Sequence, residues 1–164
     1  MDFLCNGIES HTVYPILIKN KEKHYLTLFY YTKSSDSILH SDKKQIIYFR
    51  STKDMEIFCK RNNLQIENEV VEYDFDESIE NPIDYKKILE KWNLLNTIAG
   101  TFGMFFEGDC KKYTSLYDLL FRLCTLIDSH PTTYQFCKKN YKNILKVFRK
   151  KNRFLDCFEL YRIK

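Results

Sequence analysis

Apolar and polar positions follow a period of two through the first third of the chain and a helical period from about residue 82 onward. Residues 12–19 (TVYPILIK) and 24–32 (HYLTLFYYT) are dense in β-branched and aromatic side chains. Residues 20–23 between them are polar, which predicts two strands joined by a turn. Pro15 has no N–H to give a ladder and predicts an edge position or a bulge. Residues 33–44 are polar and Ser-rich and read as loop, and 45–50 (QIIYFR) read as a short apolar strand. A helix is expected next. Ser51 or Thr52 can cap it, Asp54 and Glu56 suit its positive end, and Met55, Phe58 and Cys59 share one face. Lys60 and Arg61 suit its last turn, and Asn62-Asn63 can supply a left-handed stop. In 69–75 (EVVEYDF), Val71, Tyr73 and Phe75 alternate with Glu72 and Asp74, giving a strand with one apolar and one acidic face and completing a strand–helix–strand passage.

Asn81-Pro82 then offers an N-cap and a first helical residue. Ile88, Trp92, Leu95, Ala99 and Phe102 recur at helical spacing, Leu89 and Ile98 widen the stripe, and Gly100 or Gly103 ends it. Residues 104–106 form a short apolar piece closed by Gly108-Asp109. Residues 114–127 predict a second helix with Leu116, Leu119, Leu120, Leu123 and Ile127 on one side, broken at Ser129-His130-Pro131. Thr132 or Thr133 can cap a last helical region containing Phe136, Cys137, Tyr141, Ile144, Leu145 and Phe148. Residues 155–161 fit either a short helix or a strand. The fold class expected is α+β: an N-terminal, mostly antiparallel sheet with one helix, followed by a C-terminal helical layer. One domain spans 1–164, with a sheet-rich half over 1–80 and a helix-rich half over 81–164.

Composition narrows the function classes. The chain has 164 residues, 44% of them apolar, with only 4 Gly and 3 Pro, which excludes linker-like and low-complexity readings. The longest apolar runs are about six residues, against the ~20 a bilayer span needs. The opening MDFLCNGIES has no basic n-region and no long apolar core, so no secretory signal is expected and the protein is expected in the cytoplasm. The six cysteines (Cys5, Cys59, Cys110, Cys124, Cys137 and Cys157) contain no CxxC pair. In a reducing compartment they are expected as free, mostly buried thiols. His11, His24, His40 and His130 show no paired metal-ligand spacing, and neither phosphate-cradling Gly loops nor a GxSxG elbow occur. No nucleophile, base and acid set can be assembled. A non-enzyme with neither cofactor nor metal is the expectation.

Charge is distributed unevenly. Residues 66–90 hold nine acids and two bases, a net −7, and residues 111–164 hold thirteen bases and four acids, a net +9. Between 138 and 153 there are eight bases and no acid. Such zones point to a charged partner, or else they neutralise each other and lie as solvated faces. In the basic run, Tyr141, Ile144, Leu145 and Phe148 read as a core-facing stripe, which places the bases on the outer side of an amphipathic helix.

Four segments share an order and spacing: QIIYFRSTKDMEIFCKRNNLQI (45–66), VVEYDFD (70–76), KKILEKWNLLNTIAG (86–100) and MFFEGDCKKYTSLYDLLF (104–121). Across about the middle half of the chain they resemble immunity proteins of bacterial contact-dependent growth inhibition (polymorphic toxin) systems. After Phe121 this chain reads RLCTLIDSHP, where the family pattern has a Gly-Asn-rich turn. The resemblance implies a cytoplasmic non-enzyme that binds one cognate toxin C-terminal domain and blocks it. The expected target is a nuclease acting on RNA, tRNA or DNA. A nuclease presents positive surface to phosphates, and an acidic patch can cover it. Glu69, Glu72, Asp74, Asp76, Glu77 and Glu80 are therefore the expected toxin-binding residues, with Tyr73 as an anchor unless it faces the core. The rival surface is the basic helix, through Lys138, Lys142, Lys146, Arg149, Lys150 and Arg153. The rival function is a small nucleic-acid-binding regulator that uses that helix.

Overall fold

The computed structural model describes residues 8, 11–77, 84–106, 108, 110–125, 139 and 160–162. The chain divides into two compact units. One comprises Met1–Glu77, Gly100–Phe102 and Cys157–Lys164; the other comprises Ser78–Ala99 and Gly103–Asp156. The architecture is α+β, with an N-terminal sheet and C-terminal helices.

In the first unit, β1 (Thr12–Asn20) and β2 (Lys23–Tyr31) form a long antiparallel hairpin closed by the pair Asn20↔Lys23. The turn between them has only two residues, Lys21 and Glu22, both in the left-handed region (φ 50° and 61°). Such a turn matches the strands' right-handed twist, but it favours Asn and Gly over the side chains found here. β3 (Asp36–Ile38) extends the sheet antiparallel to β2. It lies within the stretch whose polarity predicts loop. Thr32 and Ser35 make a compact turn, the Thr32 N–H donating to the Ser35 carbonyl at 2.8 Å. Beyond it Ser37, Ile38 and Leu39 are buried, and the Ser37 hydroxyl lies 3.1 Å from the Thr101 hydroxyl. A tertiary partner for a serine makes a strand where composition alone shows a loop.

On its other side β1 pairs in parallel with two short strands, β5 (Gln65–Ile66) at Thr12–Val13 and β6 (Val71–Asp74) at Ile16–Lys19. Pro15 therefore sits in an inner strand, against the edge or bulge expectation. The phase of the ladder explains why this is tolerated. The Leu28 carbonyl accepts from Leu39, so Leu28 faces away from β1, and its cross-strand neighbour Pro15 faces away from β2. The missing N–H thus points to the β5–β6 side. It falls at the gap between those strands, where 67–70 detours through Asn68 (φ 68°).

Helix α1 (Thr52–Arg61) starts at Ser51, whose hydroxyl accepts from the Asp54 N–H at 3.2 Å. It ends through Asn62 and a left-handed Asn63 (φ 54°). Met55, Phe58 and Cys59 are buried as their spacing predicts. They form one core with Val13, Leu26, Leu28, Tyr30, Leu39, Ile47, Phe49 and Leu64. β4 (Ile46–Tyr48) precedes α1, yet it pairs with β7 (Leu160–Arg162) in a separate parallel pair, so the passage β4–α1–β5 does not join neighbouring strands. β7 resolves the open reading of 155–161 as a strand at its end.

In the second unit, α2 begins at Tyr85, and the Asp84 carboxylate caps it by accepting from the Lys87 N–H at 3.0 Å. The expected cap at Asn81-Pro82 lies outside the described residues. α2 (Tyr85–Phe102) runs on into the first unit for its last turn. It closes at Gly103 (φ 62°), with the Met104 N–H donating to the Ala99 carbonyl at 2.9 Å. Ile88, Leu89, Trp92, Leu95, Ile98, Ala99 and Phe102 are all buried, as the stripe predicts. α3 (Lys111–Thr125) starts three residues before the predicted boundary, because the Tyr113 N–H already bonds the Cys110 carbonyl. Tyr113, Leu116 and Leu120 are buried. The helices meet where Trp92 packs on Tyr117 (ring centroids 6.0 Å apart) and the Tyr117 hydroxyl donates to Asn93 Oδ1 at 2.8 Å.

Candidate binding surface

Strand β6 gathers the acid run onto one edge of the sheet. The Phe75 N–H donates to the Lys19 carbonyl, so the main chain of Val71, Tyr73 and Phe75 faces β1 and that of Glu72 and Asp74 faces outward. Among the described residues no strand pairs with this outer side. The alternating face is graded: Val71 is 47% exposed, Tyr73 is half-buried and Phe75 is buried. The wholly apolar face that the alternation predicts is thus confined to its C-terminal end, and Val70 and Val71 stand in solvent among carboxylates.

The carboxylates of this edge divide by what holds them. Glu72 pairs with Lys19 at 2.8 Å. That hydrogen bond raises the Lys19 ammonium above its ordinary value against the opposing effect of burial, with the Glu72 and Asp74 charges adding to the rise. Asp74 accepts from the Asp76 N–H (2.9 Å) and the Glu77 N–H (3.1 Å), which folds the chain back just after β6. Asp76 accepts from both residues of the distant hairpin turn, the Lys21 N–H at 2.8 Å and the Glu22 N–H at 3.4 Å. Glu69 and Glu77 are exposed. Of the expected toxin-binding set, Glu69, Glu72, Tyr73, Asp74, Asp76 and Glu77 are therefore brought together at one sheet edge. Glu80 lies outside the described residues, as do Lys138, Lys142, Lys146, Arg149, Lys150 and Arg153 of the rival surface. In that run only Lys139 is described, helical and exposed.

A feature that charge and motif reading passed over lies at the opposite end of β1. Tyr14, Phe29 and Tyr31 meet pairwise with ring centroids 5.0 to 6.2 Å apart and interplanar angles between 68° and 86°. The signal was present as strand alternation, since Phe29 and Tyr31 are two residues apart on β2 and Tyr14 faces Phe29 across the ladder. Partial burial raises the Tyr14 hydroxyl, and the charge of the nearby Glu67 carboxylate raises it further.

No protein-family model matches this chain, and no curated protein sequence does. Among solved structures, the crystal structure of the SatS C-terminal domain in complex with bromine is similar, with a TM-score of 0.52 and 16% identity. The match covers 93% of this chain and 95% of that one. At that identity the likeness concerns the fold alone.

The remaining candidate chemistry is dispersed. His11 and His24 are exposed, and His130 lies outside the described residues. His40 packs its ring edge-on against Phe102, and its Nδ1 lies 2.8 Å from the Ile38 carbonyl; because a carbonyl only accepts, Nδ1 carries a proton. Cys59, Cys110 and Cys124 are thiols rather than disulfides. Burial pushes the Cys124 thiol up, and the Asp84 and Glu90 charges add to the rise against Lys86. Among the described residues no group of three His, Cys, Asp or Glu side chains is placed to hold a metal ion. No helix there is long and apolar enough to cross a membrane.

Proposed function

We propose that this protein is a cytoplasmic immunity protein that binds and neutralises one cognate toxin domain, a nuclease, through the acidic sheet edge built on β6. The observation that carries this reading is the edge itself. Glu67, Glu69, Glu72, Asp74, Asp76 and Glu77 fall in one short segment without a base, and exposed Val70 and Val71 lie among them. Carboxylates raise the encounter rate with a basic surface, and the valines supply apolar area to bury. Fixing Glu72 by Lys19 and Asp74 and Asp76 by backbone N–H groups orders these charges before any partner arrives, which lowers the entropy lost on binding.

The decisive experiment is co-expression with the product of the adjacent open reading frame. Rescue of growth supports the reading, and growth arrest in its presence overturns it. The residues to vary for the interface are Glu69 and Glu77, because their side chains are exposed while Asp74 and Asp76 hold the local fold. The double charge reversal Glu69→Lys/Glu77→Lys is expected to slow association with the toxin domain about tenfold at low salt, with the loss shrinking as salt rises. Stopped-flow association rates across a salt series check this.

A further inference from the structure

Tyr14, Phe29 and Tyr31 form a three-sided corner of nearly perpendicular rings on the sheet face away from α1. Ile16 and Ile18, further along that face, are buried, whereas Tyr31 is 47% exposed and Tyr14 and Phe29 are half-buried. The corner opens between two acids. Glu67 follows β5 beside Tyr14, whose hydroxyl its charge raises, and Asp36 is the cross-strand neighbour of Tyr31 on β3. Both carboxylates are exposed. Across the sheet the order is acid, aromatic, aromatic, acid. Apolar packing needs none of this charge, and a solvated rim needs none of the rings.

We infer that this corner is a docking site for an arginine side chain of a protein partner, its guanidinium lying on the Tyr31 ring beside Phe29 and its N–H groups directed to the neighbouring Asp36, with Glu67 beyond Tyr14 adding negative potential. An aromatic face attracts a cation through its quadrupole, and the flat guanidinium can stack on a ring while donating in its own plane. A lysine ammonium is a point charge with no plane to stack. The corner lies on the sheet face opposite Glu72 and Asp74, whose cross-strand neighbours Leu17 and Lys19 are on the α1 side, and it shares its face with exposed Val71, the neighbour of Ile16. A partner that closes over the β6 edge onto this face reaches it as a second contact, and this assignment of the partner rests on the proposed toxin neutralisation.

The test separates the two. A blocked Gly-Arg-Gly peptide and its citrulline counterpart, the neutral isostere, are titrated into the full chain and followed by NMR. The arginine δ-protons are expected to move upfield saturably through ring currents, with citrulline about tenfold weaker. Tyr31→Leu is expected to weaken the arginine response about tenfold, Glu67→Gln a few-fold, and Tyr31→Phe hardly at all. The dispersed amide spectrum reports that each variant is folded. Equal responses to both peptides, no saturation with arginine, or an undiminished response in Tyr31→Leu overturns the site. In parallel, Tyr31→Leu is expected to weaken toxin binding about tenfold. Unchanged toxin affinity in that variant overturns the shared-partner assignment, whereas failure of the wild-type chain to protect cells overturns the toxin reading and leaves the peptide result to stand or fall by itself.

Discussion

Trp92→Ala is expected to remove about 3–5 kcal/mol of stability, the largest loss of any single truncation among the described residues of the second unit. Trp92 has no solvent exposure, and its indole packs against Phe106 (centroids 6.1 Å) from the segment after α2 and against Tyr117 (6.0 Å) from α3. Three segments therefore lose contacts at once, and the cavity left is too large for neighbouring side chains to close. Native domains hold about 5–15 kcal/mol in total, so the loss is a large fraction of the whole. For a chain of this size it corresponds to a fall in Tm of roughly 10 °C. Far-UV circular dichroism is the suitable measure, since the substitution removes the single tryptophan.

Gly108 tests the same packing from the opposite direction. A Cβ built there would stand 2.7 Å from the Trp92 Nε1 and closer still to the Phe106 ring, so an added methyl must displace one of two packed aromatics. Gly108→Ala is expected to cost about 1–3 kcal/mol. Here Trp92 survives as a reporter, and its emission is expected to shift to the red as water reaches the indole. An unshifted spectrum with unchanged stability would mean that the backbone yields without disturbing the rings.

The legibility of this fold follows the range of the interactions that make each element. α1 could be read because its determinants lie within it and next to it: Ser51, the Met55, Phe58 and Cys59 spacing, and Asn63. The α2 stripe could be read for the same reason. β3 could not, because Ser37 is buried through a partner 64 residues away, Thr101, and no local pattern encodes that pairing. The parallel pairings of β1 with β6 and of β4 with β7 are likewise non-local. Pro15 in an inner strand becomes intelligible only when two separate partners are seen to leave a gap opposite it. At the candidate surface, the sequence shows that carboxylates are concentrated, but not which of them are engaged. Glu69 and Asp76 look alike in a charge run, and hydrogen bonds to a hairpin turn more than fifty residues away distinguish them.

That distinction yields the second large effect. Asp76→Ala is expected to destabilise the first unit by about 1–2 kcal/mol, although Asp76 is an exposed side chain in an acidic run. Lys21 and Glu22 both adopt left-handed backbone, which costs an L-residue other than glycine roughly 1–2 kcal/mol each. The Asp76 carboxylate offsets that cost by accepting from both turn N–H groups with a full charge. Without it, the turn is expected to open and the Asn20↔Lys23 end of the ladder to fray. Hydrogen exchange at Lys21, Glu22 and Lys23 should then quicken while Leu26 and Leu28 stay protected. Replacing the turn with Lys21→Asn/Glu22→Gly in the same background removes the strain at its source and should restore slow exchange at Lys23, whose N–H belongs to the ladder, while the amides at 21 and 22 stay fast without the carboxylate. Asp76→Asn keeps one acceptor and should fall between the two. A purely interfacial role for Asp76 predicts the reverse pattern, with stability and exchange unchanged and only toxin binding weakened. Exchange rates and denaturant midpoints on the free protein therefore decide between a carboxylate that faces a partner and one that holds the hairpin.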